Sequence, residues 1–286
     1  MINFEKYAEG RTRTDTPGKG RLILSQLRLP FRHFGVGNSF YTMPQPYPQP
    51  QRQKPSPAGT RQKAKKTPAT CLITGFDAFG NNVNNPSEGV VNALPEELRL
   101  DRGTANVRGA VLPTCCKQSW TTLQKALTRT KPDVLLMTGL AQKRDRLSIE
   151  RFALNVRDYR IPDNAGHTWN AGQIVRGGPE AIRSELPLDE LVEQLWDRGY
   201  PCEISNHAGT FVCNDAYYRA LSYASNHGNP QVVLFVHLPL PSALARTALQ
   251  LTRRKHADGF KGSRKLQMQF MTEAVLEVAR FCAGLS

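Results

Sequence analysis

The sequence predicts an α/β fold: a single-domain α/β/α sandwich with a mostly parallel sheet, preceded by a disordered basic extension. Three observations carry this. Short β-branched or apolar runs alternate with amphipathic ones from Thr70 onward, the pattern of strand–helix units around a parallel sheet. Runs such as Val232-Val233-Leu234-Phe235-Val236 are apolar at every position, as strands covered by helices on both faces must be. The first quarter of the chain shows little periodic apolar pattern at all.

Taken in order, strands are predicted at Thr70–Thr74, Val107–Leu112, Asp133–Thr138, Glu150–Val156, Cys202–Ser205 and Val232–His237. Helices are predicted at Ser87–Leu94, Ser119–Thr128, Leu188–Arg198, Phe211–Ser225 and Leu266–Cys282. No internal repeat is visible. In sheets of this kind chemistry gathers at the carboxyl ends of strands. Three polar groups fall there: the Gly75-Phe76-Asp77-Ala78-Phe79-Gly80 loop, Cys213 one short loop after the fifth strand, and His237 at the end of the sixth.

The chain has 286 residues and a formal net charge of +14. Residues up to Lys66 hold 13 Lys and Arg against 3 Asp and Glu, of 38 against 24 in the whole chain. The basic character therefore belongs mainly to residues 1–67 and says little about partners of the folded part. Alternating prolines at Pro44, Pro46, Pro48 and Pro50, then the Lys63, Lys65, Lys66 cluster, favour disorder or extended polyproline conformation. Three readings of this extension compete: a start assigned too early, with Met43 the true start; a nonspecific basic tail; an Arg-rich targeting peptide. A nucleic-acid module rests on this tail alone, and such charge is more often a solvated face. The run Arg21–Leu27 is too short for a signal peptide or a membrane span. The domain boundary is therefore set at 67/68, with residues 68–286 as one folded domain. None of the six cysteines forms a C-x-x-C pair, so the reading is a reducing, cytoplasmic compartment without structural disulfides, zinc or other cofactor.

Cys213 is the candidate nucleophile. It follows the turn-prone run Ser205-Asn206-His207-Ala208-Gly209-Thr210 and opens an amphipathic helix. Unpaired N–H groups and the helix dipole there favour a thiolate and a lowered pKa. By itself the residue is more often a small buried thiol, as most cysteines are. His237, alone, reads as a structural histidine closing an apolar strand; paired with Cys213 it becomes a general base. Glu150 stands beside apolar residues and needs a partner. That partner is the imidazole, whose tautomer it would fix, or Arg151 or Arg157 in a plain ion pair. His207 is a rival base.

Four blocks, "TGFDAFGNNVNNPSE" from Thr74, "GLAQKRDRLSIERFALNVRDYRIPDNAG" from Gly139, "ISNHAGTFVCNDAYY" from Ile204 and "VVLFVHLPLP" from Val232, resemble the pyroglutamyl peptidase I family in order and spacing. The resemblance implies a Cys-His-Glu triad at Cys213, His237 and Glu150, without a metal. It implies removal of an N-terminal pyroglutamyl residue from peptides. It further implies that Phe76 and Phe79 hold the lactam ring, that Asn85 lies near the pocket, that Arg160 serves the site, and that the protein forms a homo-oligomer, often a tetramer in the family. The sequence departs from the family at Gln142-Lys143-Arg144, where Gly-Gly-Arg is usual, and at Ala78, Asn81 and Ile149. These changes touch the pocket's shape. They leave room for a cysteine amidase on another small cyclic or acylated amide, or for a dead enzyme kept as an interaction protein.

Overall fold

The computed structural model describes residues 68–80, 84–251 and 263–286. The predicted extension and Asn81 lie outside the described residues. β1 (Ala69–Phe76) leads to α1 (Pro86–Asn92), a short β2 (Glu97–Arg99), β3 (Thr104–Leu112), α2 (Cys116–Thr130) and β4 (Val134–Leu140). β5 (Leu147–Glu150), β6 (Phe152–Leu154), β7 (Ala181–Arg183), α3 (Leu188–Asp197) and β8 (Cys202–Ser205) follow. The chain closes with α4 (Val212–His227), β9 (Val232–Leu238), α5 (Pro241–Leu251) and α6 (Arg264–Gly284).

Seven strands form one sheet in the order β2-β3-β1-β4-β9-β5-β8. The pairs β1–β3, β1–β4, β4–β9 and β5–β8 are parallel; β2–β3 and β5–β9 are antiparallel. Side chains of each strand alternate between two apolar layers. Cys71, Ile73, Leu234 and Val236 pack with α1, α3, α5 and α6. Leu72, Val233 and Phe235 pack with α2 and α4. Burial on both faces explains why these strands read as continuous apolar runs, and the predicted sandwich is the observed one.

The sequence reading of Glu150–Val156 as one strand is corrected. The chain leaves the main sheet at Arg151, and β6 pairs antiparallel with β7 instead. Asn214 on α4 decides this. Its side chain accepts from Leu154 N at 2.9 Å and donates to Leu154 O at 2.8 Å, taking backbone groups a longer strand would have used. α5 was not predicted, because Pro239 and Pro241 read as a loop. Pro241 is the first residue of that helix, where a missing N–H costs nothing.

Candidate active site

Strand alternation aims the site. On β9, Val233 and Phe235 face α4, so His237, two residues on, faces α4 as well. On β5, Leu147 and Ile149 face the opposite layer, which turns Ser148 and Glu150 toward α4. β5 runs antiparallel to β9 with Ser148 in register with His237. The result is a direct contact: His237 Nδ1 lies 2.7 Å from Glu150 Oε1. His237 is 6% exposed and Glu150 0%, so water does not compete for this bond.

Glu150 has a second partner, and it is neither Arg151 nor Arg157. Arg144 Nη1 donates to the same Oε1 at 2.8 Å, and Arg144 Nη2 donates to Ser205 Oγ at 3.3 Å. Arg157 instead pairs with the buried Asp215, and Arg151 donates to Asn206. Tyr217 O–H donates to the backbone carbonyl of Glu150 at 3.1 Å, tying β5 to α4.

Cys213 is the second residue of α4, after Phe211 at the N-cap. Its sulfur lies over Gly139, whose Cα is in register with His237. A β-carbon at Gly139 would come within 2.9 Å of Cys213 Sγ and 3.0 Å of the Phe235 ring. Cys213 Sγ therefore stands over β4 at the position beside His237 on β9, and Gly139 leaves it the room to do so. The expected lowering of the Cys213 pKa is not what the surroundings produce. Burial, with the Glu150 charge behind it, pushes the thiol up to about 12, and a backbone N–H offsets only part of this. The helix-terminal effect loses because desolvation in an apolar slot outweighs it.

The slot in front of Cys213 is lined by Phe76, Phe79, Phe211, Leu140, Asn85, Thr114 and Gln142. It encloses about 200 Å³, less than the roughly 300–1,000 Å³ of drug-sized pockets, so it suits one small ring. Phe79 and Tyr159 both pack on Phe211, with ring centroids 5.0 and 4.6 Å away. Asn85 is the N-cap of α1, and its Nδ2 donates to Asp77 O at 2.9 Å, holding the 77–79 loop in place. Arg160 is exposed and outside this lining. His207 is exposed too, its Nδ1 accepting from Gly209 N at 3.2 Å, which takes it out of contention as the base.

Sequence reasoning missed Phe211, Thr114 and Gly139 as parts of the site. The signal for Phe211 was its place two residues before Cys213. Gly139 gave none, since only the fold lays α4 across β4. A larger groove of about 490 Å³ beside α6 holds no thiol or imidazole. Cys115, Asp163 and His167 form a second thiol–carboxylate–imidazole group, but none of the three lines the slot.

The family model for pyroglutamyl peptidase matches residues 69–251. The chain belongs to the pyroglutamyl peptidase family. It is 39% identical over 168 residues to a pyrrolidone-carboxylate peptidase of Pyrococcus furiosus, covering 59% of this chain and 79% of that one. It is likewise 39% identical over 177 residues to pyrrolidone-carboxylate peptidase 1 of Ralstonia nicotianae, covering 62% and 81%. The crystal structure of Bacillus amyloliquefaciens pyroglutamyl peptidase I is similar with a TM-score of 0.63 at 31% identity, covering 76% of this chain and 97% of that one. Among the described residues of this pyroglutamyl peptidase, no helix is long and apolar enough to cross a membrane.

Proposed function

We propose that this pyroglutamyl peptidase is a cysteine exopeptidase in which Cys213 attacks, His237 carries the proton and Glu150 holds the imidazole. The enzyme hydrolyses the amide bond after an N-terminal pyroglutamyl residue. The observation that carries the assignment of roles is the 2.7 Å contact of His237 with a fully buried Glu150, beside the Cys213 slot. With Nδ1 bound to the carboxylate, Nε2 is free to accept a proton.

The raised thiol pKa favours one form of the mechanism. Cys213 rests protonated, and His237 removes the proton as the sulfur attacks the pyroglutamyl carbonyl. The imidazolium that forms is stabilised by Glu150. The backbone amides at the start of α4, beside Cys213, are the candidate donors to the developing oxyanion. His237 then gives its proton to the departing amine, and water, activated by the same ring, cleaves the thioester. Phe76, Phe79 and Phe211 take the flat lactam ring, while Asn85, Thr114 and Gln142 supply polar partners in the wall. A prolyl substrate lacks the lactam carbonyl and would leave such partners unpaired, the strongest route to rejection.

Gln142 lies in the slot wall where the family usually has glycine, and this favours keeping an amidase of another small cyclic amide as a second reading. One comparison separates them: hydrolysis of a pyroglutamyl fluorogenic amide against a prolyl amide, by the intact protein and Cys213→Ala. Cleavage of the pyroglutamyl amide alone, abolished in the variant, supports the peptidase. No cleavage by a protein whose Cys213 is still rapidly alkylated would overturn the substrate and keep the nucleophile. The domain boundary after residue 67, the homotetramer and the cytoplasmic setting belong to the same reading. Light scattering on the purified chain tests the tetramer.

A further inference from the structure

Cys115, Asp163 and His167 each offer a ligand atom within 4.8 Å of the other two. They come from the N-cap of α2 and from the turn that follows Tyr159. Cys115 is 2% exposed and Asp163 4%, whereas the His167 side chain is 38% exposed and leaves a way in from solvent. From this convergence we propose that the cluster is a binding site for a zinc-like divalent cation, held by Cys115 Sγ, a carboxylate oxygen of Asp163 and a ring nitrogen of His167.

The ligand types argue for that class of ion. One thiolate, one imidazole and one carboxylate form a mixed borderline-soft set suited to zinc rather than to calcium or magnesium. Zinc–ligand bonds of about 2.0–2.3 Å put tetrahedral ligand atoms roughly 3.4–3.6 Å apart. The three ligand atoms, within 4.8 Å of one another, would have to draw closer on binding, and the partly exposed His167 side chain has the most room to move. A fourth position remains for water.

The carboxylate is built in advance. Asp163 Oδ1 accepts from Ala165 N at 3.0 Å and His167 N at 2.9 Å, and Oδ2 accepts from Cys116 N at 3.1 Å. Burial opposes its charge, but the amides of His167, Cys116 and Ala165 hold the Asp163 carboxyl below the usual range. The contact that yields to a cation is the 3.2 Å approach of His167 Nδ1 to Oδ1. On binding, the cation replaces the Cys115 thiol proton, which leaves to solvent.

The site borders the catalytic slot. Thr114, next to Cys115, lines it. Thr114 N donates to Asp77 Oδ1 at 2.7 Å, and Asn164, next to Asp163, donates to Ala78 O at 2.8 Å. A bound ion would therefore staple together the two segments whose hydrogen bonds hold Asp77 and Ala78 before Phe79. This role is independent of the catalytic assignment.

The test uses the full chain, reduced, in a Cys213→Ser background that removes the partly exposed thiol of the catalytic slot. Cobalt(II) is titrated and its thiolate charge-transfer band followed, with zinc as competitor. One equivalent is expected to give the band. Cys115→Ser should abolish it, and His167→Gln should weaken zinc binding about tenfold or more. Zinc should also raise the melting temperature of the background protein and not that of Cys115→Ser. Circular dichroism checks each fold. If Cys115→Ser does not fold, His167→Gln, altered at a side chain that reaches solvent, decides the question. No band in the Cys213→Ser protein, or a band that survives Cys115→Ser, overturns the site. Zinc affinity unchanged by His167→Gln overturns it equally.

Discussion

Glu150 Oε1 is shared by Arg144 at 2.8 Å and His237 at 2.7 Å. Its other oxygen, Oε2, is buried without a hydrogen-bond partner among the described residues. The carboxylate is thus held by one fixed cation and one switchable one. Arg144 gives the carboxylate a second positive partner beside the imidazole, and in the proposed mechanism it would act through Glu150. Arg144→Met should lower kcat far more than it raises KM and should shift the acid limb of the kcat/KM profile, while Arg144→Lys restores part of both. The stability loss should fall at the low end of about 3–5 kcal/mol, because the Arg144 side chain keeps 29% exposure. Urea unfolding beside the pH profile checks both. A uniform loss of activity with an unmoved profile would reduce Arg144 to a structural role.

Glu150→Gln keeps the shape and removes the charge. The neutral amide no longer favours an imidazolium, and the Arg144 guanidinium loses its counter-charge. We expect kcat to fall by about 10²–10⁴ with KM little changed. Steady-state kinetics on a pyroglutamyl amide measure this. A fall under tenfold would remove Glu150 from the mechanism.

Gly139→Ala tests the approach of sulfur to sheet. The new methyl would come within 2.9 Å of Cys213 Sγ and 3.0 Å of Phe235, closer than such contacts allow. Cys213 must shift, and displacement of a nucleophile by a fraction of an ångström is costly. Expected are a folded protein, a kcat loss of at least about tenfold, and slower alkylation of Cys213. Wild-type kinetics in Gly139→Ala would show that the sulfur has room.

Phe211→Ala opens the slot beside Phe79. It removes two ring contacts, to Phe79 and Tyr159, each worth about 0.5–1.5 kcal/mol beyond burial. KM for a pyroglutamyl amide should rise about tenfold or more, and discrimination against the prolyl amide should fall. Unchanged selectivity would place recognition elsewhere in the wall.

Alkaline pH should unfold this protein early. Burial pushes the Cys71 thiol up to about 11, with Asp133 adding to it, and burial pushes Cys202 and Cys213 to about 12, from an ordinary 9.0. Above pH 9 the unfolded chain releases these protons and the native chain keeps them. The unfolded state then binds fewer protons, so stability falls as pH rises. The contribution is whole below the unfolded pKa and lost through the folded one. Urea midpoints at pH 8, 9.5 and 10.5 should drop steadily, and Cys71→Ala should flatten the slope at some cost in stability at pH 8. Equal slopes would assign the alkaline loss to other groups.

The sequence by itself determined the layer architecture and most of the element order, and it named Cys213, His237 and Glu150 as the candidate triad. Continuous apolar runs can be satisfied only by burial on both sides, and the four motif blocks lie where the chain must turn. Three things were decided by tertiary structure. Arg144, not Arg151 or Arg157, answers Glu150, because the turn after β4 returns its side chain while Asp215 captures Arg157. The thiol is held up rather than down, because desolvation depends on what other segments pack around Cys213. The grouping of Cys115 with His167 spans about 50 residues of chain, and only the fold brings such distant positions within reach of one ion. Periodicity reports which face of an element is buried; it carries no record of which distant side chain lies across from it.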